Sequence, residues 1–185
     1  MPPGLVDEVM ATVLQPTVDE LARRGTPFSG LLYAGLALTS RGVRVVEFNA
    51  RWGDPETQPL LALLESPLGE LLMASASGSL AALAPPVFAD GAAVCVVMAS
   101  RGYPASSSSG DVITGLDDAE AMAGVHVIHA GTALVGDDLV TAGGRVLAVV
   151  GTGADVAAAR AAAYDGAAKI AFDGAQLRTD IAAGR

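Results

Sequence analysis

The segment Leu83-Ala84-Pro85-Pro86 constrains this chain more than any other stretch. Two consecutive prolines remove backbone donors and fix φ, so neither a helix nor a central strand runs through them. The sequence has a different character on each side. Upstream, Val6, Val9, Met10, Val13, Leu14, Val18 and Leu21 carry the three-four spacing of an amphipathic helix over residues 6–21, with Pro16 expected to kink or divide it. Residues 28–38 and 43–48 are extended runs rich in branched and aromatic side chains, and Thr39-Ser40-Arg41-Gly42 between them reads as a hairpin turn. Asp54-Pro55-Glu56-Thr57 is a helix-start pattern, with Asp54 as N-cap and Pro55 at the first helical position. A leucine-rich helix follows, its regular part delayed by Pro59, and another is expected over 68–75.

Downstream of the prolines, residues 92–99, 125–129, 132–135 and 145–150 are short strand candidates joined by turns rich in Gly, Ser and Asp. Residues 154–172 read as one long alanine-rich helix that can set Val156, Ala159, Ala163, Tyr164, Ala167 and Ile170 against a sheet. The fold class is α+β, with one domain expected over 1–82 and a second over 83–185.

A chain of 185 residues with 51 % hydrophobic and 17 % charged residues can bury a core and has an ordinary globular composition. Its apolar runs are far shorter than the roughly 20 residues of a membrane helix, and no basic-then-apolar leader opens it, so no membrane partner and a cytoplasmic location are expected. A net charge of -9 with 11 scattered basic residues argues against nucleic acid as a partner. The single cysteine, Cys95, lies in an apolar run and is expected in a core, without a disulfide.

The chemistry lies in Val43-Arg44-Val45-Val46-Glu47-Phe48-Asn49-Ala50-Arg51. Strand alternation would project Glu47, Asn49 and Arg51 together and turn Val46, Phe48 and Ala50 into a core. A carboxylate beside an amide oxygen suits Mg²⁺, which takes few protein oxygens and completes its shell with water and phosphate. The Arg51 fork can hold a phosphate or carboxylate at two points. Alternation alone equally describes an edge strand with a solvated polar face.

The longer string Glu47-Phe48-Asn49-Ala50-Arg51-Trp52-Gly53-Asp54-Pro55-Glu56-Thr57-Gln58 closely resembles the signature of phosphoribosylamine-glycine ligases, a family of the ATP-grasp superfamily. The resemblance extends upstream through Phe28-Ser29-Gly30-Leu31-Leu32-Tyr33-Ala34-Gly35. It extends downstream through Gly102-Tyr103-Pro104, Gly110-Asp111, His129-Ala130-Gly131-Thr132, Gly143-Gly144-Arg145-Val146 and Arg178-Thr179-Asp180-Ile181. It implies the C-terminal half of an ATP-grasp catalytic domain over 1–82, followed by a small sheet-plus-helix domain. It also implies that Glu47 and Asn49 hold the Mg²⁺ or Mn²⁺ bridging the phosphates of ATP. The implied reaction joins glycine to 5-phosphoribosylamine through an acyl phosphate, giving glycinamide ribonucleotide, ADP and phosphate in de novo purine biosynthesis. Arg51 is then expected to shield charge on the transferred phosphoryl group. Asp54 and Glu56 either bind the amine of a substrate or act as N-cap and first-turn acid. Trp52, Ala105 and Ala182 stand where the family usually has phenylalanine, glycine and glycine.

The family also has an N-terminal domain and an ATP-grasp lid whose lysine contacts the nucleotide, and neither is found before Met1. The isolated chain is therefore expected to be inactive and to bind ATP weakly, as a fragment awaiting an N-terminal half. The rivals are a non-catalytic binding module, one piece of a split ligase, or a different ATP-grasp carboxylate-amine ligase, which would not be expected to keep Gly-Asp-Pro-Glu-Thr. Lys169, the only lysine, reads as a solvated residue of the last helix. Val149-Val150-Gly151-Thr152-Gly153-Ala154-Asp155-Val156 imitates a dinucleotide fingerprint, but position 156 is valine where a small residue is needed, and a tight turn with Asp155 near the helix start suffices. His126 and His129 alternate with Val127 and Ile128 on one strand and could hold a metal or make structural hydrogen bonds.

Overall fold

A computed structural model describes residues 3–184. The chain divides into two compact units, one comprising residues up to Gly53 with 67–86, the other 54–66 with 87–184.

The first unit opens with helix α1 (Leu5–Val9), a π-helical turn (Met10–Leu14) and helix α2 (Gln15–Arg23). Pro16 has no N–H to donate back along the helix, and the wide π turn lies immediately before it, so the expected division falls where the missing donor requires it. Strands β1 (Tyr33–Thr39) and β2 (Gly42–Asn49) form the expected antiparallel hairpin. The first strand starts five residues later than the apolar run suggests. Gly30 sits at φ +147, a conformation that leaves extended pairing, and the Phe28 ring lies over its bare Cα. Helix α4 (Leu68–Ser77) completes the unit and is tied to the segment before β1 by the Ser29 hydroxyl, which donates to the Ser75 carbonyl at 3.0 Å.

In the second unit, strands β3 (Ala92–Ala99), β4 (Val125–His129) and β7 (Arg145–Gly153) form an antiparallel sheet with β7 in the centre. Helix α6 (Val156–Ala167) covers one face, where Val94, Val96, Ala159 and Ala163 pack together. Helix α3 (Thr57–Leu63) lies on the other, its Ala62 against Cys95, Ala148 and Val150. A second hairpin, β5 (Thr132–Val135) with β6 (Asp138–Thr141), and the short helix α5 (Leu116–Glu120) flank the sheet. The Arg178–Ile181 tail is bound to α6 by hydrogen bonds: Arg160 donates to the Thr179 and Ile181 carbonyls, and Tyr164 Oη to the Arg178 carbonyl at 2.7 Å.

Three expectations need correction here. The last helix ends at Ala167, so Lys169 lies in a turn and Ile170 is buried from beyond the helix. Val156, in the first turn, is exposed rather than set against the sheet. Gly151, Thr152 and Gly153 belong to β7 instead of forming a turn. A Cβ at Gly151 would come within 2.3 Å of the Ala159 carbonyl and the Ala163 nitrogen. The two glycines are there so that the backbone of α6 can lie directly on the strand, while Asp155 caps the helix by accepting from Ala158 N at 2.8 Å.

Core burial is uneven between the units. In the first, only Val9 and Ala74 among the described hydrophobic residues are buried, whereas in the second β7 alone buries Val146, Leu147, Ala148, Val149 and Val150. Opening free energy tracks buried apolar contact. Amides of β1 and β2 should therefore exchange with deuterium roughly 100-fold or more faster than those of β3 and β7, where global unfolding limits exchange. Equal protection in the two hairpin strands and the central sheet would contradict this.

Candidate active site

Strand β2 is not regular. Leu36 pairs with Val45 and Gly35 with Glu47, leaving Val46 as the extra residue of a β-bulge. The bulge resets the alternation. Val43, Val45 and Phe48 share the side of Ala34, Leu36 and Leu38, while Glu47 and Asn49 share the side of Tyr33 and Gly35. Val45 and Phe48 line a groove with Val13, Pro16, Thr17 and Leu21 of the helical segment. The expectation that Val46, Phe48 and Ala50 enter a core is wrong: Val46 is 71 % and Phe48 43 % exposed, and Ala50 is exposed as well. A two-stranded ribbon has too little surface of its own to bury an apolar face.

Glu47 and Asn49 do come together. The Asn49 side-chain amide donates to Glu47 Oε1 at 3.0 Å, a bond that uses neither Asn49 Oδ1 nor Glu47 Oε2. Strand β2 ends at Asn49, so alternation does not orient Arg51 as expected; the chain bends at Ala50 and Arg51, and Arg51 Nη1 donates to the Trp52 carbonyl at 2.9 Å.

Asp54 and Glu56 lie in the second unit. Asp54 is not the N-cap. Helix α3 starts at Thr57 with Glu56 in the cap position and no side-chain cap bond. The Asp54 carboxylate is taken instead by two side chains: Gln58 Nε2 donates to Oδ1 at 2.9 Å, and Arg145 Nη2 pairs with Oδ2 at 3.1 Å. Arg145 Nη1 also donates to the Asp54 carbonyl at 2.8 Å, so one guanidinium holds both backbone and carboxylate. Arg145 was not anticipated from the sequence as a partner of Asp54; 91 residues separate them, and only the Gly143-Gly144-Arg145 string marked the position. Close by in sequence, the Tyr103 ring packs on Gly144, where a Cβ would sit 2.5 Å from Cδ2, and Gln176 Nε2 donates to the Ser100 and Tyr103 carbonyls.

The two histidines do not converge. Strand β4 pairs regularly with β7, so positions 126 and 129 point to opposite faces, and a shared ion is excluded by geometry. His129 Nδ1 lies 3.1 Å from Thr132 Oγ1, in hydrogen-bond contact.

Cys95 is a free thiol on the face covered by α3. Burial first, then the nearby charges of Asp54 and Glu56, push its pKa up to about 12. An acid that keeps its proton in the fold but loses it when unfolded stabilises the fold fully below about pH 8.5, its unfolded value, and that contribution is lost as pH rises toward 12. At pH 8, iodoacetamide should therefore alkylate native Cys95 roughly 100-fold or more slowly than the urea-unfolded chain. Comparable rates would place the thiol outside the core.

Comparison with known proteins fits this two-part arrangement. The phosphoribosylglycinamide synthetase ATP-grasp (A) domain matches residues 1–57, and the C domain of the same enzyme matches residues 93–184. Phosphoribosylamine-glycine ligase of Streptomyces coelicolor is 63 % identical over 183 residues, covering 98 % of this chain and 44 % of the relative. That of Leifsonia xyli is 51 % identical over 185 residues, covering 99 % and 44 %. The crystal structure of phosphoribosylamine-glycine ligase from Thermotoga maritima superimposes with a TM-score of 0.84 at 32 % identity, over 98 % of this chain and 44 % of that one. An ATP-grasp portion followed by a C domain defines the class, the phosphoribosylglycinamide synthetase type of chain. The chain belongs to the phosphoribosylamine-glycine ligase family. It spans under half the length of the relatives it matches.

Proposed function

We propose that this chain supplies the metal-holding strand and the C domain for ATP-dependent ligation of glycine to 5-phosphoribosylamine, giving glycinamide ribonucleotide, ADP and phosphate. The observation that carries this reading is the Glu47–Asn49 pair, two hard oxygen donors set side by side on a bulged strand. One carboxylate and one amide fit Mg²⁺ or Mn²⁺, which keep water and substrate phosphate in the rest of the shell. Among the described residues no group of three or more His, Cys, Asp or Glu offers an all-protein cage. When bound, such an ion supplies charge neutralisation for the phosphates of ATP.

The chain's own groups have separate tasks in this reading. Glu47 and Asn49 hold the ion. Arg51, on the bend just past the strand, offers a second cationic group to the transferred phosphoryl oxygens. Asp54 and Glu56 are assigned to the amine of a substrate; Arg145 and Gln58 fix Asp54, so a substrate ammonium would share that carboxylate with the guanidinium. We assign residues 1–82 to the ATP-grasp catalytic domain and 83–185 to the C domain, with the remaining length of the relatives contributing the lid and nucleotide lysine. The free thiol of Cys95 suits a reducing cytoplasm, and no described helix is long and apolar enough to cross a membrane.

The test joins this chain behind the N-terminal part of the Streptomyces coelicolor relative and assays ATP, glycine and phosphoribosylamine with Mg²⁺. Metal-dependent formation of glycinamide ribonucleotide is expected. A folded, ATP-binding hybrid that makes no product would overturn the reading.

A further inference from the structure

Gly35 is the cross-strand partner of Glu47, on the side of the hairpin that carries Asn49 and Tyr33. The absence of a side chain there has a consequence for the carboxylate. A Cβ at Gly35 would lie 3.1 Å from Glu47 Cγ, 3.6 Å from the Glu47 carbonyl and 3.7 Å from Tyr33 Cε1. Gly35 borders the β-bulge, but its backbone is not in the left-handed region, so a positive φ does not explain the glycine. What remains is space: Glu47 Cγ lies against the bare Cα of Gly35, and Tyr33 Cε1 borders the same space. The bulge at Val46 puts Glu47, rather than Val46, opposite this gap.

We infer that Gly35 is a positioning residue for the metal pair: by leaving its Cα bare it lets Glu47 lie flat across the hairpin, in reach of the Asn49 amide. The inference rests on the metal reading of Glu47 and Asn49. An alanine at position 35 would meet Cγ at 3.1 Å, less than ordinary van der Waals separation, so the Glu47 arm must give by a few tenths of an ångström, and its 3.0 Å bond to Asn49 is expected to be disturbed. The hairpin itself loses nothing, because no backbone atom comes closer than 3.6 Å to the added carbon.

Asn49 is the only asparagine of the sequence, so selective ¹⁵N-asparagine labelling of the full chain gives one side-chain NH₂ pair in the NMR spectrum. In the wild-type chain a nuclear Overhauser contact between Gly35 Hα and Glu47 Hγ is expected; its absence overturns the inference without any variant. Gly35→Ala should shift the Asn49 NH₂ pair while the cross-strand backbone contacts persist. It should also raise the Mn²⁺ concentration that broadens that pair about 10-fold or more, the usual effect of disturbing a group that orients a ligand. Ala37→Ser, two residues along on the same side, should change neither. An unshifted NH₂ pair in Gly35→Ala, with normal Mn²⁺ broadening, overturns the role of Gly35 and leaves the metal reading standing. Failure of Mn²⁺ to broaden Asn49 in the wild-type chain overturns the metal reading and the inference with it.

Discussion

In the hybrid ligase, Glu47→Gln is expected to lower kcat/KM at limiting Mg²⁺ by about 100-fold or more while leaving the melting temperature within a degree or two. The substitution keeps nearly the same volume and removes the negative charge. Loss of a metal ligand or its neighbours commonly costs 10- to 100-fold in affinity or activity, while a solvated surface acid changes stability by about 0.5 kcal/mol. Because Glu47 is exposed on a two-stranded ribbon, the fold has little to lose from the change, and the two explanations separate cleanly. Asn49→Ala removes one amide oxygen and the bond that orients Glu47, and a fall of about 10- to 100-fold is expected. Excess Mg²⁺ should restore part of the Asn49→Ala activity. Near-normal turnover in both variants would mean that the polar side of β2 is only solvated.

The second large effect is on stability. Gly151→Ala should destabilise the second unit by about 3 kcal/mol or more, because the added carbon would lie 2.3 Å from two backbone atoms of α6. No rotamer change relieves that contact. The helix must lift from β7, and Ala159 and Ala163, both fully buried, lose their packing against Val94 and Val96. Gly69 in α4 is the contrast: nothing lies within 4 Å of its Cβ position and its φ is not positive, so Gly69→Ala should be neutral or stabilise by up to about 1 kcal/mol. Urea unfolding followed by circular dichroism measures both. A Gly151→Ala chain as stable as the parent would mean that the helix does not rest on the strand.

The contrast between these two glycines shows what could be read from the residues alone. Periodicity located the hairpin, the strands at 92–99 and 125–129, and the division at Pro16, because each depends on a local pattern or a missing donor. It could not tell that Gly151 and Gly153 continue a strand, since that depends on a helix approaching from later in the chain. The four-residue strand β6, with Asp138 and Thr141 at its ends, and the five-residue helix α5 were absent from the reading because neither carries a full period of apolar residues. The Asp54 cap failed for a different reason. Its local chemistry was right for an N-cap, but Gln58 and the distant Arg145 compete for the same carboxylate. The bulge at Val46 is the subtlest case: strict alternation counted back from Asn49 still pairs Glu47 with Asn49, so the candidate ligands were legible, while the apolar side was assigned one residue out of phase. The family string carried the site further than geometry could, since exposed residues on a ribbon show few contacts by which to recognise them.

The central claim is that Glu47 and Asn49 hold a divalent ion at the phosphates of ATP, and Asn49 allows it to be tested at one atom. With ¹³Cγ-labelled asparagine confined by segmental ligation to this chain's part of the hybrid, only position 49 carries the label. Electron-nuclear double resonance on the hybrid ligase loaded with Mn²⁺ and ADP should then show a ¹³C coupling placing that carbon about 3 Å from the metal, as expected of an amide oxygen ligand at roughly 2.0–2.2 Å. ³¹P couplings from the nucleotide should appear in the same spectrum. Phosphorus couplings without any ¹³C coupling would show the ion seated on the nucleotide away from β2, and would contradict the account.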